Sequence, residues 1–144
     1  MPSITVAKTI NATPTELWAY LRDIGSHTEW MADAEAITFT SDKTEGVGTT
    51  FDCLTKVGPI RLNDKMTVTS WVENKEMGVT HSGIVTGVGV FTLEPAGQQT
   101  LFTWSEKLEF PIYLGGPIGA FFAKPILKAI WNRNLSRLSR QFEN

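Results

Sequence analysis

Between about Glu35 and Phe110 the sequence keeps a strand-like pattern, with no break long enough to admit a helix. Runs rich in Thr, Val, Phe and Trp lie around Ile37–Phe39, Thr49–Leu54, Ile60–Trp71, Met77–Ser82, Val88–Leu93 and Thr100–Phe110. Turn-prone stretches separate them: Ser41-Asp42, Val57-Gly58-Pro59, Glu73-Asn74-Lys75, Gly83 to Gly87, and Pro95-Ala96-Gly97-Gln98. A parallel crossover needs a dozen or more residues, usually a helix. These runs must therefore zigzag as antiparallel neighbours.

The two ends of the chain have a different period. Ile4, Val6 and Ile10 alternate with smaller or polar residues and read as a half-buried first strand. Thr13-Pro14-Thr15-Glu16 then gives a helix start: Thr13 as cap, Pro14 at the first helical position and Glu16 closing a capping box. Leu17, Leu21 and Ile24 make one apolar face, and Gly25 is placed to end the helix. A second box, Ser26 with Glu29, predicts another short helix carrying Trp30 and Met31. At the far end Leu127, Trp131, Leu135, Leu138 and Phe142 form an apolar stripe about 23 Å long at 1.5 Å per residue. Arg133, Arg137 and Arg140 lie opposite it, and Pro125 is expected to kink or restart the helix.

The order is strand, two short helices, six strands, long helix. It predicts an α+β domain over 1–144: a curved seven-strand antiparallel sheet wrapped on the C-terminal helix, with two short helices after strand 1. One helix cannot cover so much apolar sheet flat. A curled sheet encloses a cavity instead, and five Trp with eight Phe in 144 residues provide large walls for it.

Composition narrows the function. Thirteen basic against fifteen acidic residues leave a formal charge of −2, which argues against a general nucleic-acid binder. Residues 117–144 hold five basic side chains and one acidic, but their apolar stripe is needed to cover the sheet, so a solvated basic face is the simpler account. The one cysteine, Cys53, has no disulfide partner and no basic neighbour, and reads as a small buried hydrophobe. No metal-ligand spacing surrounds His27 or His81, and Gly46-x-Gly48 lacks the third glycine of a dinucleotide fingerprint; neither a metal nor a cofactor is expected. The N-terminus does not read as a signal peptide. The longest apolar uncharged stretch, Phe110 to Ala123, has 14 residues broken by glycine and proline, short of the roughly 20 of a membrane span. A cytoplasmic protein without a transmembrane segment is the expectation.

Several of these residues resemble a known family. The Ile10-Asn11-Ala12-Thr13-Pro14 lead into Leu17-Trp18, the Leu21-Arg22-Asp23 helix end and Trp30 are similar to the START-like, or SRPBCC, superfamily. So are Gly46-Val47-Gly48-Thr49 entering a strand, Phe91-Thr92-Leu93-Glu94-Pro95 before a turn, and the amphipathic C-terminal helix. The likeness spans nearly the whole chain and is nearest to the polyketide cyclase/dehydrase-like branch. It implies the helix-grip fold of the major birch-pollen allergen and a hydrophobic small-molecule ligand. It does not imply one reaction, because the scaffold hosts several.

Candidate site residues follow from strand parity. His81 ends the alternation Met77, Val79, His81, so it is placed to face the cavity as an acid–base group or as a hydrogen-bonded wall residue. Glu106 shares parity with Phe102, Trp104, Leu108 and Phe110, and both an inward and a solvent-facing direction stand. Asp64 shares parity with Leu62, Met66 and Val68, with solvent preferred, because unpaired charges are seldom buried. A carboxylate in an apolar pocket has its pKa raised or needs a partner such as Arg61, Lys65 or Lys107; Arg61 and Lys65 lie on the face of their strand opposite Asp64, so neighbouring strands must supply any partner. His27 sits in a capping turn and reads as a surface residue; Gly87 and Gly89 read as a bulge or a close helix approach. The segment from Phe110 to Gly119 is either a gate or a plug at one end of the cavity, with Tyr113 as its polar handle.

The expected ligand walls are Phe51, Met66, His81, Phe91 and Trp104, together with Glu106, Tyr113, Leu127 and Trp131. The first functional reading is binding or transport of a lipid-like, polyketide-like or aromatic molecule by a monomer or homodimer. The alternative is a cyclase/dehydratase-type enzyme with His81, Glu106 and Tyr113 as its candidate catalytic groups. A weaker third reading is a protein adaptor using Ile126 and Ile130 among the basic residues of the last helix.

Overall fold

The computed structural model describes residues 3–143. Its elements are β1 (Ser3–Ile10), α1 (Pro14–Leu21), a 3-10 turn (Ile24–Glu29), β2 (Ala34–Phe39), β3 (Thr50–Val57), β4 (Ile60–Val72), β5 (Glu76–Ser82), β6 (Thr86–Ala96) and β7 (Gln99–Glu109). A 3-10 turn at Ile112–Leu114 leads into α2 (Gly116–Arg140). The strands form one antiparallel sheet in the order β1-β7-β6-β5-β4-β3-β2. The seven-strand sheet gripping a long C-terminal helix is the expected architecture.

Local chemistry accounts for the element ends. Thr13 and Glu16 make the reciprocal capping box: Glu16 N–H donates to Thr13 Oγ1 at 3.2 Å and Thr13 N–H to Glu16 Oε1 at 3.1 Å. Gly46 and Gly48, at φ 85° and 94°, take the left-handed conformations of the turn between β2 and β3.

Three expectations fail here. The second short helix is present as a 3-10 helix that ends before Trp30, but it lacks the Ser26–Glu29 box: Ser26 Oγ donates to the Asp23 carbonyl at 2.6 Å, and Glu29 accepts from Tyr20 Oη at 2.6 Å. α1 stops at Leu21, so Gly25 lies inside that turn rather than ending the helix. Pro125 does not restart the last helix, which runs unbroken through it. The carbonyl that Pro125 deprives of a donor belongs to Phe121, a residue 70% exposed, where water can replace the missing N–H.

The sheet's inner face divides into two regions. Towards α1 the core is solid: Trp30 is fully buried, with its ring 5.8 to 6.2 Å from Phe91, Phe102 and Trp104, and Trp18 meets Trp71 edge-on at 5.2 Å. Trp18, Trp30 and Trp71 therefore fill the core instead of walling a space. Towards β2–β5 the sheet curls away, and α2, packed mainly on β1 and β7, leaves room beneath it. Asp33, ahead of β2, anchors the helix over that room: its Oδ2 accepts from Trp131 Nε1 at 3.1 Å and its Oδ1 from Asn134 Nδ2 at 2.7 Å. Asn134 Oδ1 in turn accepts from Ala32 N–H at 3.0 Å, and Asn134 is fully buried.

Candidate functional site

The room beneath α2 is a cavity of about 380 Å³. Such volumes fall in the range of small-molecule sites. Alternation along each strand supplies its wall: Phe51, Cys53 and Thr55 from β3, Leu62, Asp64 and Met66 from β4, Met77, Val79 and His81 from β5. Gly89 and Phe91 of β6 and Trp104, Glu106 and Leu108 of β7 continue it, and Ala123, Ile126, Leu127 and Trp131 of α2 form the roof. Trp131 stacks on Trp104 with centroids 4.7 Å apart and planes 21° from parallel. Phe51, Met66, His81, Phe91, Trp104, Leu127 and Trp131 thus lie among the expected walls, and Glu106 takes the inward of the two directions left open for it.

Tyr113 is not among these walls. It lies in the 3-10 turn, 74% exposed, while Phe110, Leu114 and Gly119 from the same segment line the cavity. The turn is tightly folded, because Gly119 passes so close to the Leu114 carbonyl that an added Cβ would stand 2.1 Å from it. One short turn cannot direct Leu114 inward and its neighbour Tyr113 inward as well.

The polar groups of the wall gather on β4, β5 and β7. His81 Nε2–H donates to Glu106 Oε1, and both residues are buried. The two strands are not adjacent: β6 runs between them, and its Gly89 lies directly opposite Glu106 in the ladder. With no side chain there, Glu106 folds across β6 to reach His81. Register along β6 is continuous, so Gly87 and Gly89 mark no bulge. Gly87, at φ 153°, instead lets β7 approach, since a Cβ there would meet the Lys107 carbonyl at 1.9 Å. The partner for the buried glutamate is thus His81. Arg61, Lys65 and Lys107 do not serve, and Arg61 reaches Glu35 at 3.5 Å on the outside.

Burial alone pulls the His81 imidazole down. The hydrogen bond and charge of Glu106, with the charge of Asp64, outweigh it and hold the pKa above the ordinary histidine value. Asp64 is buried and lines the cavity, against the solvent-facing expectation. Thr55 Oγ1 donates to its Oδ2 at 2.7 Å, whereas Oδ1 is buried with no hydrogen-bond partner. Burial pushes this carboxyl above the usual aspartate range, with Thr55 and His81 drawing it partly back.

Two further residues at the wall escaped or contradicted the sequence reading. His27 is buried rather than on the surface, its Nε2–H donating to the Leu21 carbonyl at 2.8 Å. Burial lowers it to about 4, so it is a neutral packing residue. Asp33 lines the cavity while holding Trp131 and Asn134. A signal for it existed: Asn134 is a polar residue three positions after Trp131, on the apolar side of the last helix. Cys53 is the inert hydrophobe expected, its thiol pushed up to about 11 by burial. Among the described residues no cluster of His, Cys, Asp and Glu can hold a metal ion, and no helix is long and apolar enough to cross a membrane.

A family model described as "Polyketide cyclase / dehydrase and lipid transport" matches residues 1–143. No curated protein matches the chain in sequence. Among solved structures, a conserved protein from Geobacillus kaustophilus superposes with a TM-score of 0.80 at 13% identity, covering 98% of this chain and 95% of its own. The protein XoxI from Bacillus cereus gives 0.77 at 14% identity, with 99% and 96% covered. The solution structure of the Aha1 dimer from Colwellia psychrerythraea gives 0.72 at 19%, with 99% and 97% covered. At these identities the likeness is one of fold.

Proposed function

The chain belongs to the polyketide cyclase/dehydrase and lipid transport family, and from that premise we propose that it binds or transports a hydrophobic or aromatic small molecule between its sheet and α2. The observation that carries this reading is the cavity of about 380 Å³, walled by aromatic and aliphatic side chains around one polar floor. Burial there contributes affinity at roughly 25 cal/mol per Å² of apolar surface, and the floor orients the ligand. We read the protein as cytoplasmic, a monomer or a homodimer; the dimer named for the Colwellia structure is what keeps the second form in view.

The buried His81–Glu106 pair favours a second reading, cyclase/dehydratase-type catalysis. Glu106 would hold the imidazole charged and oriented, and His81 would deliver or recover a proton at the substrate. Tyr113 has no part in this, being outside the cavity. The adaptor reading keeps only part of its surface: Ile130 packs against the core, whereas Ile126 borders the cavity and is still 56% exposed.

Native mass spectrometry of protein from its own cells, followed by denaturing extraction, tests the binding reading. A stoichiometric hydrophobic molecule is expected. Empty protein that also fails to take up a hydrophobic fluorescent probe would refute it. Conversion of the extracted molecule by wild type but not by His81→Gln would establish the catalytic reading instead.

A further inference from the structure

The lining of the cavity has an uneven charge inventory. Three carboxylates reach it, Asp33, Asp64 and Glu106, and among the described residues no Lys or Arg does. The positive charge available is His81, already committed to Glu106. Asp33 is occupied by Trp131 and Asn134. Asp64 is different: it is 8% exposed, one oxygen accepts from Thr55, and the other is buried without any donor.

A buried carboxylate oxygen without a partner is costly, and native structures rarely keep one unless something else supplies the donor. Asp64 belongs to the cavity lining, and rotation about the broad terminal torsion of an aspartate can turn the unpaired oxygen from its buried position towards that space. Asp64 is therefore an unfilled acceptor on a floor whose one cation, His81, is already paired with Glu106.

Resting on the reading of the cavity as a ligand site, we propose that its ligand is an apolar molecule with a hydrogen-bond-donating end, a hydroxyl or an ammonium group, docked on Asp64, and that the cavity rejects carboxylates and phosphates. A carboxylate head would meet the charge of Asp64 in a desolvated space, where such repulsion is weakly screened and the one nearby cation is already taken by Glu106. A donor head supplies the partner that Asp64 lacks and leaves the His81–Glu106 pair intact.

Displacement of a bound hydrophobic fluorescent probe by decanol, decylamine and decanoic acid tests this, since the three share one chain and differ in the head. Wild type is expected to bind the alcohol or the amine at least about ten-fold more tightly than the acid, a difference of about 1.4 kcal/mol. The stronger of the two identifies a neutral or a charged head. In Asp64→Leu the preference should shrink to about two-fold, and in Asp64→Asn, which keeps the side chain's shape, the amine should lose most. Equal displacement by all three, or tighter binding of the acid, overturns the head-group assignment while leaving the cavity a hydrophobic site. Failure of wild type to take up the probe overturns the cavity reading itself, and this proposal with it. The wild-type series decides the matter even where a variant does not fold.

Discussion

Gly89→Ala is the substitution that most sharply probes the buried pair. An alanine Cβ at this position would stand 2.7 Å from Glu106 Oε1, 3.1 Å from its Cγ and 3.2 Å from its Cδ. Carbon contacts settle at about 3.5–4.0 Å, so the whole glutamate side chain must withdraw by about 0.5–1 Å. It cannot withdraw and still touch His81, because its path to β5 runs over this residue. The bond lost is a charge-assisted one between buried partners, and such bonds contribute about 1.5–3 kcal/mol.

Titration of the His81 ring by NMR reads the event directly. In wild type its pKa lies above the ordinary histidine value, because Glu106 and Asp64 outweigh burial. In Gly89→Ala burial is left with less opposition, and the pKa should fall. The stability consequence has a definite sign. A histidine raised on folding contributes stability that is complete below its unfolded pKa near 6.5 and vanishes as pH rises through the folded value. Gly89→Ala should therefore cost more at pH 5 than at pH 9. An unchanged His81 titration in a folded variant, or an equal cost at both pH values, would refute this account.

Two other predictions concern the frame around the site. His27 works in the opposite sense to His81: its folded pKa of about 4 lies below the unfolded value near 6.5, so its stability is complete above 6.5 and drains as pH falls. Between pH 7 and 4.5 it should account for about 2.5 kcal/mol, and urea unfolding of His27→Gln should lose that much less than wild type over the same interval. Identical losses would mean that His27 is not held neutral. Asn134→Ala removes the donor of Asp33 Oδ1 and the acceptor of Ala32 N–H at one stroke. It should cost about 2–4 kcal/mol in urea unfolding, far more than Asn132→Ala on the exposed side of α2, and equal costs would dismiss the clamp.

What could be read from the sequence was whatever one element decides alone. The capping box at Thr13, the turn glycines at Gly46 and Gly48, and the stripe Leu127-Trp131-Leu135-Leu138 are each local, and each lies where its spacing puts it. Parity likewise faced Phe102, Trp104, Glu106 and Leu108 the same way along β7. The burials that were missed depended on a second element. His27 is buried because the Leu21 carbonyl meets its ring, and Asp64 is buried because Thr55 on the next strand satisfies one of its oxygens. No periodicity within β4 can announce that partner.

The glycines of β6 show how such cross-strand information is nonetheless encoded. A glycine inside a strand is a weakness unless something occupies the space its side chain would take. Gly89 faces inward between Gly87 and Phe91, and it pairs with the one carboxylate on the inner face of β7. The missing side chain on β6 and the extra charge on β7 are complementary halves of one feature, with His81 on β5 as its third part. Without Gly89, Glu106 would be a buried charge cut off from its partner, a costly arrangement. With Gly89, the sheet sustains a polar floor in an apolar cavity, and that floor is what distinguishes a site able to orient a ligand from one that only absorbs it. An inward glycine in register with an inward carboxylate is thus a sequence signal, but one legible only when the strand register is known.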